Sequence, residues 1–202
     1  MDKNDKQNKK DIKIITLGDS NVGKSSLIIK YVDDKFSNSY LTTMGFDIKN
    51  KNITLKDGTK AKVMIFDTAG QERFKALSES YIKKADGILL VYNISDEQSF
   101  QDIEHWMKNV KELIEDKLPI ILIGNKIDLY DERKVSIEEG QEKAREYGIP
   151  FYETSCKTGN NINKCFNELA ELAYEKVVKN LQKKSNQVLT KSSSKSKKKG
   201  CC

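Results

Sequence analysis

The chain has 202 residues, 37% of them hydrophobic and 33% charged, enough for one domain of about 100–200 residues with a core of its own and some tail. No window approaches 18 consecutive apolar residues, the polar start Met1–Lys10 does not read as a signal peptide, and Asp2 in place of glycine excludes N-myristoylation. Net charge is +6, but nine lysines and no acid lie between Lys176 and Cys202, so residues 1–175 carry −3, which argues against a basic, nucleic-acid-binding domain.

Residues 1–10 read as a disordered leader and Ile12–Leu17 as a buried strand ending in a glycine. Lys24–Val32 reads as a helix, Asp34–Gly45 as a loop, and Phe46–Leu55 as a strand joined to Ala61–Asp67 by a turn at Asp57-Gly58. Gly87–Asn93 and Ile120–Gly124 are continuous apolar runs of the kind found in parallel sheets. Phe100, Ile103, Met107, Val110 and Ile114 mark one face of a helix. Ser136 caps a helix that reaches Tyr147, with Glu139 at capping-box spacing, and Phe151–Ser155 is a last strand. Apolar positions from Ile162 to Leu181 predict a long closing helix, and after about Asn180 the Lys/Ser-rich composition predicts a disordered linker. The alternation predicts an α/β sheet with helices on both faces and ligands at the carboxyl ends of the strands.

The motifs fall on that edge. Gly18–Ser25 (GDSNVGKS) matches G-x-x-x-x-G-K-[ST], a loop whose backbone N–H groups cradle phosphates at a helix N-terminus. The cradle comprises Ser20, Asn21, Val22, Gly23, Lys24, Ser25 and Ser26, with Lys24 spanning the β- and γ-phosphates and the Ser25 hydroxyl on Mg²⁺. Asn125-Lys126-Ile127-Asp128 follows a strand; the Asp128 carboxylate can accept both guanine N1–H and the 2-amino group, a pair adenine does not present. Ser155, Cys156 and Lys157 end the last strand and offer a backbone N–H to the guanine oxygen, with Lys157 beside the base. Asp67-Thr68-Ala69-Gly70-Gln71 closes another strand: Asp67 is placed for Mg²⁺ through water, Gly70 for the γ-phosphate, and Gln71 to orient the attacking water. Thr43 can add its hydroxyl to Mg²⁺, and Phe36 can lean on the guanine edge.

The strings TTMGFDIK (42–49), DTAGQERF (67–74), SYIKKA (80–85), VYNIS (91–95) and the terminal Cys201-Cys202 make the chain resemble the Rab family of small GTPases within the Ras superfamily, from about Asp11 to Val178. The resemblance implies a P-loop NTPase G domain over 11–178, with a six-stranded, mostly parallel sheet (one antiparallel strand) and five helices. It also implies two nucleotide-sensing loops near 36–49 and 68–82 and a flexible hypervariable tail over 179–202. Catalysis would rest on Gln71, Lys24 and Thr43, with Mg²⁺ as cofactor and GTP and GDP as substrate and product. The effector-facing patch maps onto Phe46, Ile48, Phe66 and Tyr81, with Phe66 where the family usually has Trp, and Cys156 stands where Ala is usual.

The same resemblance implies geranylgeranyl groups on Cys201 and Cys202, which with the tail lysines would anchor the chain to the cytoplasmic face of an intracellular or plasma membrane, beside a cytosolic pool. A coil of the tail's length would reach roughly 25 Å from the domain. Implied partners are an exchange factor, a GTPase-activating protein, effectors, a Rab escort protein and a GDP-dissociation inhibitor, with no nucleic acid and a monomeric chain. The implied process is vesicle-mediated transport. Read only as chemistry, the terminal thiols leave redox activity open beside lipidation; one His and no C-x-x-C spacing argue against zinc. Alternatives for the whole chain are another Ras-superfamily signalling GTPase, a tail-dependent RNA-associated GTPase, or a P-loop kinase, for which Arg73, Arg133 and Arg145 are few arginines. His105, Trp106 and Cys165 read as surface or packing residues.

Overall fold

The computed structural model describes residues 10–36, 46–68, 75–114 and 117–195. Along the chain lie β1 (Lys10–Leu17), α1 (Lys24–Asp33), β2 (Phe46–Thr54), β3 (Lys60–Thr68), α2 (Lys75–Ile82), β4 (Gly87–Asn93), α3 (Glu97–Gln101), α4 (Ile103–Leu113), β5 (Ile120–Asn125), α5 (Ile137–Tyr147), β6 (Phe151–Thr154) and α6 (Ile162–Lys195). One six-stranded sheet has the order β2-β3-β1-β4-β5-β6. All pairs are parallel except β2 with β3, the hairpin signalled by Asp57-Gly58. There Asp57 Oδ1 accepts the Thr59 N–H at 2.9 Å, closing the turn.

Strand periodicity explains how the sheet fills both faces. Ile12 and Ile14 of β1, Val63 and Ile65 of β3, Leu89 and Val91 of β4, and Ile121 and Ile123 of β5 pack with α1 and α6. Their alternates Ile15, Leu17, Ile88, Leu90, Tyr92 and Leu122 pack with α2, α4 and α5. Every residue of β4 and β5 is buried, as expected of central strands covered by helices on each side. The five parallel strands therefore end on one common edge.

Three boundaries differ from the sequence expectation. The helix expected to begin at Phe100 starts at Glu97 and is divided at Asp102 into α3 and α4. Residues 75–82, expected within a sensing loop, form α2; it carries the buried Ile82 onto the sheet. With α3 and α4 taken as one interrupted helix, the described residues hold the five helices implied by the resemblance. The expected coil after Asn180 is instead helix as far as Lys195. Residues 180–190 contain no Gly or Pro to stop a helix already nucleated on the core. The remaining tail residues, Cys201 and Cys202 among them, lie outside the described residues. The capping box is formed as read: Glu139 N–H donates to Ser136 Oγ at 3.2 Å, and Ser136 N–H donates to Glu139 Oε2 at 2.8 Å.

Candidate functional site

The loop between β1 and α1 is shaped by close backbone approach. Gly18 has φ +134°, and a Cβ there would lie 2.1 Å from the Val91 carbonyl oxygen. Gly23 has φ +98°, and a Cβ would lie 2.4 Å from Asn125 Nδ2. That amide cannot yield cheaply, because it donates to the Val22 carbonyl at 2.8 Å while its Oδ1 accepts from Thr154 Oγ1 at 3.0 Å. Gly18→Ala is expected to destabilise the chain by about 3–5 kcal/mol through overlap plus backbone strain. Thermal denaturation should show a midpoint about 6–20 °C lower; a midpoint within 2 °C of the parent, about 0.5–1 kcal/mol, would contradict this geometry.

Helix α1 opens without a side-chain cap or an acidic residue in its first turn, leaving its leading N–H groups for an anion. Lys24 is 5% exposed, and its ammonium donates to the Gly18 carbonyl at 2.7 Å and to the Asp19 carbonyl. Burial lowers its pKa to about 8, against the opposing pull of Asp67 and Asp19. An ammonium so desolvated, supported by two backbone carbonyls, fits a site built for phosphate. Ser20, Asn21, Val22, Gly23, Ser25 and Ser26 line the same turn, with Asn21 in the left-handed region at φ +62°.

The base-side loops are fastened to this cradle. Besides the Val22 and Thr154 bonds, Asn125 Oδ1 is 3.8 Å from the Cys156 thiol, so the buried Asn125 braces three segments. Lys126, at φ +67°, extends towards Asn21 Oδ1 at 3.5 Å. Asp128 Oδ1 accepts from Ser155 Oγ at 2.6 Å, which fixes the carboxylate's orientation. Burial pushes the Cys156 thiol up to about 12, so it stays protonated and behaves as a small buried residue. Lys157 is exposed at the end of this segment, and Phe36 is exposed beyond the end of α1.

Asp67, buried at the end of β3, lies within electrostatic reach of Lys24, and Ser25 sits half-buried in the first turn of α1. A carboxylate and a hydroxyl are hard oxygen donors of the kind Mg²⁺ takes when phosphates complete its shell. Among the described residues no group of three or more His, Cys, Asp or Glu converges. Thr43, Gly70 and Gln71 lie outside the described residues. Of the predicted effector-facing patch, Ile48 pairs across the hairpin with Phe66, whose ring lies 5.2 Å from that of Tyr81. Phe66 is 5% exposed and Ile48 40%, with Tyr81 partly buried, so Phe66 itself offers little surface there. The side chain of Phe46 lies outside the described residues.

Two contributors carry no sequence signal of their own. Thr154 is a buried strand end whose hydroxyl holds the Asn125 amide in one orientation. Trp106, read as a packing residue, donates its indole N–H to Asp19 Oδ1 at 2.8 Å. Arg133 makes a two-point pair with Glu153 and donates to the Val135 carbonyl; Arg145 donates to Gln141 on its own helix. Neither arginine is directed at the cradle.

A three-layer sheet with a glycine-shaped phosphate loop braced to an N-K-x-D segment defines a P-loop guanine-nucleotide-binding domain. The Ras family profile matches residues 13–175. The chain is 41% identical over 197 residues to the Ras-related protein SEC4 of Saccharomyces cerevisiae, spanning 95% of this chain and 91% of that one. It is 45% identical over 158 residues to Ras-related protein Rab-13 of Mesocricetus auratus, spanning 78% and 77% of the two chains. It is 46% identical over 161 residues to Ras-related protein RABE1e of Arabidopsis thaliana, spanning 79% and 73%. The chain belongs to the Ras family and, within it, to the Rab small GTPases. It is a Rab-like GTPase of vesicle trafficking that binds GTP and hydrolyses it to GDP and phosphate.

Proposed function

We propose that the site works as a switch whose two sensing loops report the γ-phosphate, with a residue-by-residue division of labour. The observation that carries this reading is the Asn125 brace, which makes the phosphate loop and the guanine-reading loop one rigid unit. A nucleotide held at both ends keeps its γ-phosphate in a fixed place, so segments near it can sense its presence. Lys24 and the backbone from Ser20 to Ser26 hold the phosphates. Asp128 reads the guanine edge, the Cys156 N–H meets the guanine oxygen, and Lys126 and Lys157 pack beside the base. Phe36, beyond the end of α1, leans on the guanine edge.

Ser25, Thr43 and Asp67 would hold Mg²⁺. When bound, the ion neutralises charge on the β- and γ-phosphate oxygens. Gly70 contacts the γ-phosphate, and Gln71 orients the attacking water. The commitment of Arg133 and Arg145 elsewhere supports an activating protein that supplies an arginine from outside, since no described arginine of the chain faces the cradle. Further partners are an exchange factor and effectors that engage Ile48 and the neighbouring β2–β3 surface.

No helix of the described residues is long and apolar enough to cross a membrane. We place the chain at the cytoplasmic face of a membrane through geranylgeranyl groups on Cys201 and Cys202, delivered by a Rab escort protein and masked by a GDP-dissociation inhibitor. The helix from 180 to 195 would then act as a spacer of roughly 24 Å at 1.5 Å per residue. The tail over 179–202 is thus partly a stiff arm.

Gln71→Leu tests the catalytic assignment. Single-turnover hydrolysis of preloaded GTP is expected to slow at least about tenfold, with GTP affinity within about threefold of the parent. Unchanged turnover removes Gln71 from the mechanism.

A further inference from the structure

We infer that Trp106 is a positioning residue for the phosphate cradle, acting through its indole N–H on Asp19. The inference rests on the nucleotide-site reading above and extends it to α4, a helix that contributes no side chain to that site. The bond spans 87 residues of sequence and joins α4 to the loop at 2.8 Å. Asp19 is also one of the two residues whose carbonyls support the Lys24 ammonium. Fixing the Asp19 side chain therefore fixes the peptide on which Lys24 rests.

The local geometry of α4 serves this contact. The interruption at Asp102 begins a new helix at Ile103, in which the Trp106 backbone N–H donates to the Asp102 carbonyl at 3.0 Å. Ile103, Met107 and Val110 bury the other face of α4 against the sheet, so Trp106 is presented from a rigid element. Asp19 is in an unfavourable place for a carboxylate. Burial raises its pKa to about 6; the Trp106 N–H opposes that shift, the neighbouring Asp102 adds to it and Lys24 opposes it. Without the indole donor the Asp19 side chain loses its tie to α4, and the loop backbone that carries the Asp19 carbonyl loses that restraint. Trp106 is the single tryptophan of the chain, so its replacement removes one defined donor.

The experiment follows release of N-methylanthraniloyl-GDP from the full chain in excess unlabelled GDP. Trp106→Phe keeps an aromatic ring and loses the N–H; it is expected to speed release about five- to tenfold, the net effect of one hydrogen bond. Asp19→Ala is expected to speed release by a similar factor, and adding Trp106→Phe to it should change the rate by less than twofold, because the donor then has no acceptor. Met107→Leu, a volume-conserving change in the same helix, should leave release within twofold of the parent and so separate the hydrogen bond from general loosening of α4. Parental release by Trp106→Phe would overturn the proposal, as would multiplication of the two single effects in the double variant or equal acceleration by Met107→Leu. A parent chain that fails to retain the labelled GDP would overturn the nucleotide-site reading itself, an outcome visible before any variant is compared.

Discussion

Asp128→Asn is expected to lower affinity for GTP by about 10²–10⁴-fold and to raise affinity for xanthosine triphosphate. On the proposed reading the parent carboxylate accepts from both guanine donors. An amide retains one acceptor and sets an N–H₂ against the guanine 2-amino group, leaving two buried donors opposed. Xanthine carries a carbonyl at that position, which accepts from the same N–H₂. The Ser155 hydroxyl, 2.6 Å from Asp128 Oδ1, holds the side chain in register, so the swap changes the chemistry presented more than the geometry. Ser155→Ala should have a smaller effect, about tenfold, by releasing that orientation. Competition calorimetry with the two nucleotides measures both. Parental GTP affinity in Asp128→Asn, or no gain for the xanthine nucleotide, would show that another residue reads the base.

The parts of this site legible in the sequence are those in which residue type and function coincide. A phosphate cradle needs glycines where the backbone turns back on itself, and Gly18 and Gly23 are fixed there by the Val91 carbonyl and the Asn125 amide. Parallel central strands must be apolar throughout, so β4 was visible to the residue. The capping box was equally visible, since its chemistry is local. What the sequence conceals are long-range bonds made by ordinary residues. Thr154 is a common strand residue until its partner 29 positions away is known. Trp106 reads as packing because nothing near it in sequence names Asp19. The break at Asp102 was missed because the apolar period runs through it, and periodicity reports which face is buried, not whether one hydrogen bond in the ladder is rearranged. The tail differs in the opposite sense: a composition poor in core residues reads as coil, whereas α6, seated on the core through Ile162, Phe166 and Leu169, continues as far as Lys195.

Lys24→Met is expected to lower nucleotide affinity by at least about 10²-fold and to stabilise the chain stripped of nucleotide at neutral pH. Both results have one cause. The ammonium's pKa lies at about 8 against 10.5 for the unperturbed side chain, chiefly through burial. Between those two values the unfolded chain binds a proton that the folded chain does not, so stability rises with pH across that window. Below about pH 8 both states are protonated and the penalty stands in full, on the order of 3 kcal/mol. Methionine removes the charge at similar length but leaves the Gly18 and Asp19 carbonyls without their donor, which returns about 1–2 kcal/mol of the gain. The stripped variant should therefore melt about 2–8 °C above the stripped parent at pH 7, with the difference vanishing or reversing by pH 10. Parallel melting curves for the two proteins across pH 7–10 would show that Lys24 is not held against its charge. With nucleotide bound the order must invert at pH 7, because phosphate supplies the counter-charge that the folded chain withholds. A lysine that weakens the empty fold and strengthens the loaded one couples folding to nucleotide occupancy, the property a switch protein needs if its unloaded form is to be short-lived.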